Sequence, residues 1–283
     1  MTSATPPAGG GRTTVRRYLA AILVTAGYAL PLYLAIVNVF KPNAQITAHP
    51  MSLPSPFTLG NLISVFDSPD YDLVGTLVRT LVITAVSMAC VVLLGSMLGY
   101  YLGRHQGPLQ RVLTGVLLLG LAIPFQVILI PVTQVLRPLN LLNTYAGLVV
   151  FNVGYYIPFA VLVFSRFVRE IPRELDEAAA LDGAGPVRIF TRVVFPLMHP
   201  AMASVAIFVS VWVWNDFVNP LILLGPDKGT TIMTGIYRSL GQFNSDFGTT
   251  FAFMFVASLP LLILFLLLQK RFVSGLTSGA TKG

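Results

Sequence analysis

The sequence predicts an all-α membrane protein with six transmembrane helices and both termini on one side. Composition points there first: 55% of the 283 residues are hydrophobic and 10% are charged, against about 25% charged in a soluble domain. Mean hydropathy is +0.77. Second, six apolar runs are long enough to cross a hydrocarbon core of about 30 Å, which takes roughly 20 helical residues. Third, the basic residues divide unevenly between alternate loops. This composition excludes a disordered chain and a nucleic-acid module, and the single Cys90 excludes a disulfide-stapled scaffold.

The first run, 18–40, follows Arg12, Arg16 and Arg17. It exceeds the core of a signal peptide, about 7–15 residues, and no small-x-small cleavage site follows Phe40, so an uncleaved helix is expected. Residues 1–17, rich in Thr, Pro and Gly, read as a disordered cytoplasmic tail. The external loop 41–73 carries Pro50, Pro54 and Pro56 and reads as an ordered cap. The second run, 81–102, with the start of the following loop, contains Gly95, Gly99 and Gly103, a double G-x-x-x-G that lets helices approach closely.

Run three, 113–136, carries Pro124 and Pro131 with Gln126, Thr133 and Gln134; run four, 145–165, carries Asn152, Gly154, Tyr155, Tyr156 and Pro158. Run five, 201–224, has Trp214, Asn215, Asp216 and Asn219, with Asn215 and Asn219 on one helical face. The glycine-rich external loop 225–249 includes Gln242, Asn244, Ser245 and Asp246. Run six, 250–268, contains an unbroken apolar stretch from Leu261 to Leu268 with none of the alternation of a barrel strand. Residues 276–283 form a C-terminal tail.

Thirteen basic residues fall on the side of the termini, including Arg104, Arg111, Arg166, Arg169, Arg173, Arg188 and Arg192; five fall on the other. The positive-inside rule therefore places both termini in the cytoplasm. Only Asp216 among Asp, Glu and His lies within a span, whereas ion-coupled carriers keep such groups inside their helices. Its depth makes Arg79 a candidate partner. The chain has no G-x-x-x-x-G-K-[ST] loop, H-E-x-x-H, C-x-x-C or G-x-S-x-G, and no cluster of metal ligands. An ion-coupled secondary transporter and an intramembrane enzyme are the two competing classes, each weakened by these absences.

The loop 166–200 holds five of the eleven acidic residues: Glu170, Glu174, Asp176, Glu177 and Asp182. Pro172 suits a first helical position, the acidic residues then fall near the positive end of the helix dipole, and Gly183, Gly185 and Pro186 end the helix after about three turns. A second short helix is expected from about 186 to 195. Leu175, Ala178, Ala179 and Asp182 share one face of the first helix, a mostly small-residue stripe. A solvated surface helix and a docking surface both fit these features.

The pattern Glu177-Ala178-Ala179, Gly183, then Val193-x-Phe195-Pro196 resembles the EAA loop in permease subunits of binding-protein-dependent ABC importers. The carbohydrate-uptake, maltose-transporter type is similar in Asp182-Gly183-Ala184, in Gly99-Tyr100-Tyr101-Leu102-Gly103-Arg104, in Ile123-Pro124-Phe125-Gln126 and in Trp214-Asn215-Asp216-Phe217. The likeness runs from about residue 76 onward and implies a permease core over 74–275. Arg79-Thr80 departs from it, standing where an Asn-Ser or Asn-Thr pair is usual.

The resemblance implies that Glu177, Ala178, Ala179 and Gly183, with Asp182 and Arg188 beside them, dock into a cytoplasmic ABC ATPase dimer. It also implies a second permease subunit, an extracytoplasmic solute-binding protein touching Gln242, Asn244, Ser245 and Asp246, and a multi-pass location in a prokaryotic cell membrane. No cofactor is expected on this chain, ATP and Mg belonging to the partner ATPase. A path for a di- or oligosaccharide would involve Gln126, Asn152, Tyr155, Tyr156, Asn215, Asp216 and Asn219, since aromatic faces and amides suit sugars. Interhelical hydrogen bonding and the satisfaction of proline-freed carbonyls account for many such residues and outweigh that reading.

Overall fold

A computed structural model describes residues 10–67, 72–225, 230–240 and 246–280, with side chains described from Arg16 to Leu267. Every regular element among them is helical. Four helices are long and apolar enough to span a bilayer, and two bent helix pairs raise the number to six. The contacts divide the chain into two units, one of residues 1–71 and 239–256, the other of 72–238 and 257–283.

In the first unit, α1 runs Gly10–Val39 and so includes residues 10–17, expected as tail. Extending an existing helix costs far less than nucleating one, so the apolar span carries its polar approach along. Tyr18, Ile22, Leu23 and Tyr28 stay exposed, leaving this helix an apolar surface. Beyond it, two short helices follow in one folded segment, α2 (Asn43–Ala48) and α3 (Gly60–Asp67). Its pivot is Lys41, fully buried, whose Nζ donates to Asn38 Oδ1 at 3.0 Å and to the carbonyls of His49 and Pro50 at 3.1 and 2.9 Å. All three ammonium protons are thereby used, and burial lowers the Lys41 pKa.

The second unit is built on α4 (Leu73–Arg104) and α7 (Tyr145–Glu170). Helix α4 starts well before the expected residue 81 because Asp72 caps it, accepting from Gly75 N at 3.2 Å. The three glycines face α7: a Cβ at Gly95 would lie 2.8 Å from Ala160 Cβ, and at Gly99, 2.5 Å from Phe164 Cβ. One at Gly103 would lie 2.7 Å from Val168 Cγ1. The double G-x-x-x-G is thus an internal seam of this subunit.

The expected third span is not one straight helix. It is α5 (Pro108–Ala122) and α6 (Phe125–Leu136), bent by 108°. Pro124 has no N–H to give and forces Ile123 into extended backbone, φ −85° and ψ 118°. The fifth span is likewise interrupted: α11 (His199–Trp214) ends at Asn215, and α12 (Val218–Leu223) follows. Asn215 and Asn219 therefore do not share a helical face. Helix α13 covers Ile232–Ser239, and α14 runs Phe247–Ala280, well past the expected 268.

Between α7 and α11 lie α8 (Glu174–Leu181), α9 (Pro186–Ile189), a π-helical turn at Phe190–Val194 and α10 (Phe195–Leu197). The stretch Pro186–Leu197 meets α11 at 75°.

Candidate functional site

Helix α8 is two turns long rather than three, and it starts after Pro172, with Arg173 as its N-cap. Its end explains Gly183. Ala184 N donates to Ala179 O and Gly183 N to Ala180 O, both at 3.0 Å, with Gly183 at φ +80°. This is a Schellman closure, which needs a left-handed residue at one position. Ala179 and Ala184, on either side of the turn, both pack on the core. Ala179 is thus half-buried, while Glu177, Ala178, Asp182, Gly183 and Arg188 are exposed. Leu181 at 89% and Val187 at 77% exposure flank them, two apolar tips that the motif does not single out. Exposure, read from the sequence as a small-residue stripe, is in fact a small-residue centre between two large apolar side chains.

Asp176, one turn into α8, points inward. Arg104 at the end of α4 grips it, Nε to Oδ2 at 2.8 Å and Nη2 to Oδ1 at 2.9 Å. Arg104 Nη1 donates to Val168 O and Ile171 O at 3.0 and 2.8 Å, and Tyr100 Oη to Asp176 Oδ2 at 3.3 Å. The exposed loop is therefore fixed to the ends of both α4 and α7.

Deeper in this unit, Tyr155 and Tyr156 line a cavity of about 260 Å³ with Phe125, Phe159 and Trp212. Tyr156 stacks on Trp212 at 5.4 Å between centroids, and Phe159 meets Trp212 edge-on at 5.0 Å. Gly120 and Tyr155 also border an apolar cavity of about 470 Å³ left by the bend between α5 and α6. The remaining path candidates lie elsewhere. Gln126 is exposed in the first turn of α6. Asn152 is buried and donates to Ser87 Oγ at 3.2 Å, an α4–α7 hydrogen bond that leaves its Oδ1 unpaired. Asn215 donates to Val211 O at 2.8 Å.

Asp216 does not pair with Arg79. It caps α12, accepting from Asn219 N at 3.2 Å and Asn219 Nδ2 at 2.7 Å. Arg79 instead forms an ion pair with Asp72 at 2.9 Å and donates to Thr230 O at 3.4 Å. The helix break at Asn215 turns the carboxylate to a local donor. Of the external-loop candidates, Gln242, Asn244 and Ser245 lie outside the described residues. Asp246 caps α14, accepting from Thr249 N at 3.1 Å, from Thr249 Oγ1 and from Asn43 Nδ2 at 2.6 Å. Burial pushes its carboxyl up, but these bonds outweigh it and hold the pKa below the ordinary aspartate value.

Every regular element among the described residues is helical, up to six spans are long and apolar enough to cross a bilayer, and the exposed loop of α8 is clamped to α4 and α7, features of a multi-pass membrane protein. Residues 95–278 match the model of the binding-protein-dependent transport system inner membrane components, and the chain belongs to that family. The multiple sugar-binding transport system permease protein MsmG of Streptococcus mutans is 31% identical over 92% of this chain and 95% of its own. The glucose import system permease protein GlcU of Saccharolobus solfataricus is 31% identical over 94% and 95%. Among solved structures, a bacterial ABC transporter that imports alginate superposes with a TM-score of 0.82 at 16% identity, over 95% of this chain and all of that one. At that identity the likeness is one of fold.

Proposed function

We propose that this chain is the transmembrane permease subunit of an ATP-driven ABC importer for a carbohydrate, a di- or oligosaccharide. In this reading it pairs with a second permease, is driven by an ABC ATPase dimer and is fed by an extracytoplasmic binding protein. The observation that carries it is the loop of α8: a Schellman-closed helix with exposed Glu177, Ala178 and Gly183, anchored through Asp176 to α4. A docking helix must be accessible at its tip and rigid at its root, and this one is both. The sugar relatives and the aromatic cavity at Trp212 support the substrate class.

In mechanism, closure of the ATPase dimer would displace α8 as a rigid body, and the Arg104–Asp176 clamp would pass that displacement to α4 and α7. The cytoplasmic position of the loop and of both termini follows from the bias of basic residues. The test is co-purification with the ATPase and binding protein and measurement of ATP hydrolysis across a sugar panel. One sugar should stimulate hydrolysis and uptake together, and Gly183→Asp or Glu177→Lys should uncouple the two with the protein still in the membrane. Normal sugar-dependent uptake in both variants would overturn the assignment, and uptake driven by a proton gradient with ATP absent would favour a secondary transporter.

A further inference from the structure

A third cavity, of about 510 Å³, lies where the end of α4, the start of α5 and the end of α7 converge. Arg111, Arg169 and His105 line it with the amides Gln106 and Gln110 and with Thr114, and no acidic residue is among its walls. Neither the Arg111 nor the Arg169 side chain has an ion-pair or hydrogen-bond partner among the described residues. The nearby Arg104, by contrast, is consumed by Asp176. Two unneutralised guanidinium groups facing one concavity repel each other, and the bound state that relieves this is an anion with several acceptor oxygens. The positive end of α5 lies at the same wall, since Gly107 gives that helix no side-chain cap and both Gly107 and Gln110 line the cavity.

The lining is not wholly polar: Leu102 and Leu118 belong to it as well. Leu118 is 53% exposed, and Leu121, on the same face of α5, is 45% exposed. A basic rim continuous with an exposed apolar helix surface matches an amphiphile better than a soluble anion. The cluster also belongs to the arginine-rich side of the protein, where anionic headgroups meet basic pockets between helices.

We propose that this cavity binds the phosphate headgroup of an anionic membrane lipid, held by Arg111 and Arg169, with its acyl chains along the face of α5 that carries Leu118 and Leu121. The site is separate from the exposed loop of α8 and does not depend on which solute is carried.

The experiment uses the full chain in its purified complex, delipidated in a neutral detergent and titrated with phosphatidylglycerol, with native mass spectrometry counting bound lipid. The Arg111→Gln/Arg169→Gln double variant should bind about 25-fold more weakly, at roughly fivefold per arginine. Neither arginine side chain has a bonding partner among the described residues, so folding should be preserved. Arg137→Gln, which removes one charge from the end of α6, should bind as the unaltered protein does. Phosphatidylcholine should bind weakly, and inorganic phosphate in the millimolar range should displace little phosphatidylglycerol. Equal binding by the double variant, or equal loss in Arg137→Gln, overturns the proposal. Full displacement by inorganic phosphate overturns the lipid source and reassigns the cavity to a soluble phosphate.

Discussion

Arg104 and Asp176, 72 positions apart in the chain, meet in a two-pronged pair at 2.8 and 2.9 Å whose side chains are only 7% and 18% exposed. Parallel N–H donors fix orientation as well as distance, so the root of α8 cannot swivel on α4 while the pair holds. Two further bonds from Arg104 to the carbonyls of Val168 and Ile171 bring α7 into the same joint.

The joint predicts a graded series. Arg104→Ala removes both prongs and both carbonyl bonds and is expected to cost about 3 kcal/mol, the lower end for breaking a buried pair. Asp176→Asn keeps a neutral acceptor and should cost less than half of that. Thermal unfolding of the purified complex measures the cost. The ratio of ATP hydrolysed to solute imported should rise in the same order, since a loosened root dissipates the motion of the tip. A ratio that stays constant while stability falls would reduce the pair to a structural role.

The α4–α7 seam predicts intolerance of side chains at Gly99. A Cβ there meets Phe164 Cβ at 2.5 Å and Ser165 N at 3.1 Å, atoms close to or within backbone that cannot rotate away. Gly99→Val is expected to destabilise by about 1–3 kcal/mol through overpacking. Gly27→Val, at a position with nothing within 4 Å, should leave the melting temperature unchanged.

The aromatic cavity predicts a specific role for Trp212. Trp212→Ala should raise the sugar concentration that gives half-maximal transport about tenfold. That corresponds to losing roughly 1.4 kcal/mol, within the range of an aromatic contact. Gln126→Ala, outside the lining, should shift it less than twofold. Transport assays on proteoliposomes decide between them, and equal effects would detach the cavity from the path.

Much of this was legible in the sequence because bilayer crossing needs long apolar runs and because small residues spaced by four mark close helix approach. Gly95, Gly99 and Gly103 did pack as their spacing implies. Gly183 was legible as a helix stop, though its reason, a left-handed Schellman position, needed the backbone. The breaks were harder. Pro124 and Pro131 lie in one run, yet the chain turns at Pro124, where Ile123 is extended, while Pro131 stays inside α6. Nothing local distinguishes the two. Nor does sequence say which polar side chains face a cavity. Asn152 and Asn219 carry the same amide as Gln126, but their Nδ2 groups donate to Ser87 and Asp216. Trp212 escaped notice because Trp214, two residues on, sits in the recognisable motif. Trp214 itself is buried and donates to Ala257 O at 3.1 Å.

The cap of α14 predicts an acid-sensitive element. Asp246 accepts from Thr249 and Asn43, and Asn43 Oδ1 in turn accepts from Gly248 N at 2.8 Å. Because the folded carboxyl has a pKa below its ordinary value of 3.8, it contributes stability that is fully present above about pH 4 and lost as pH falls through the folded value. Asp246→Asn retains a capping oxygen but no charge, so the variant should be less stable than the parent at pH 7 and should converge on it in strong acid. Hydrogen exchange at the first turn of α14, followed between pH 7 and pH 3, reads this locally. Exchange in the parent should accelerate below pH 4, beyond the intrinsic pH trend, and in the variant it should follow that trend alone. Parallel profiles would mean that the carboxylate charge contributes nothing to the cap.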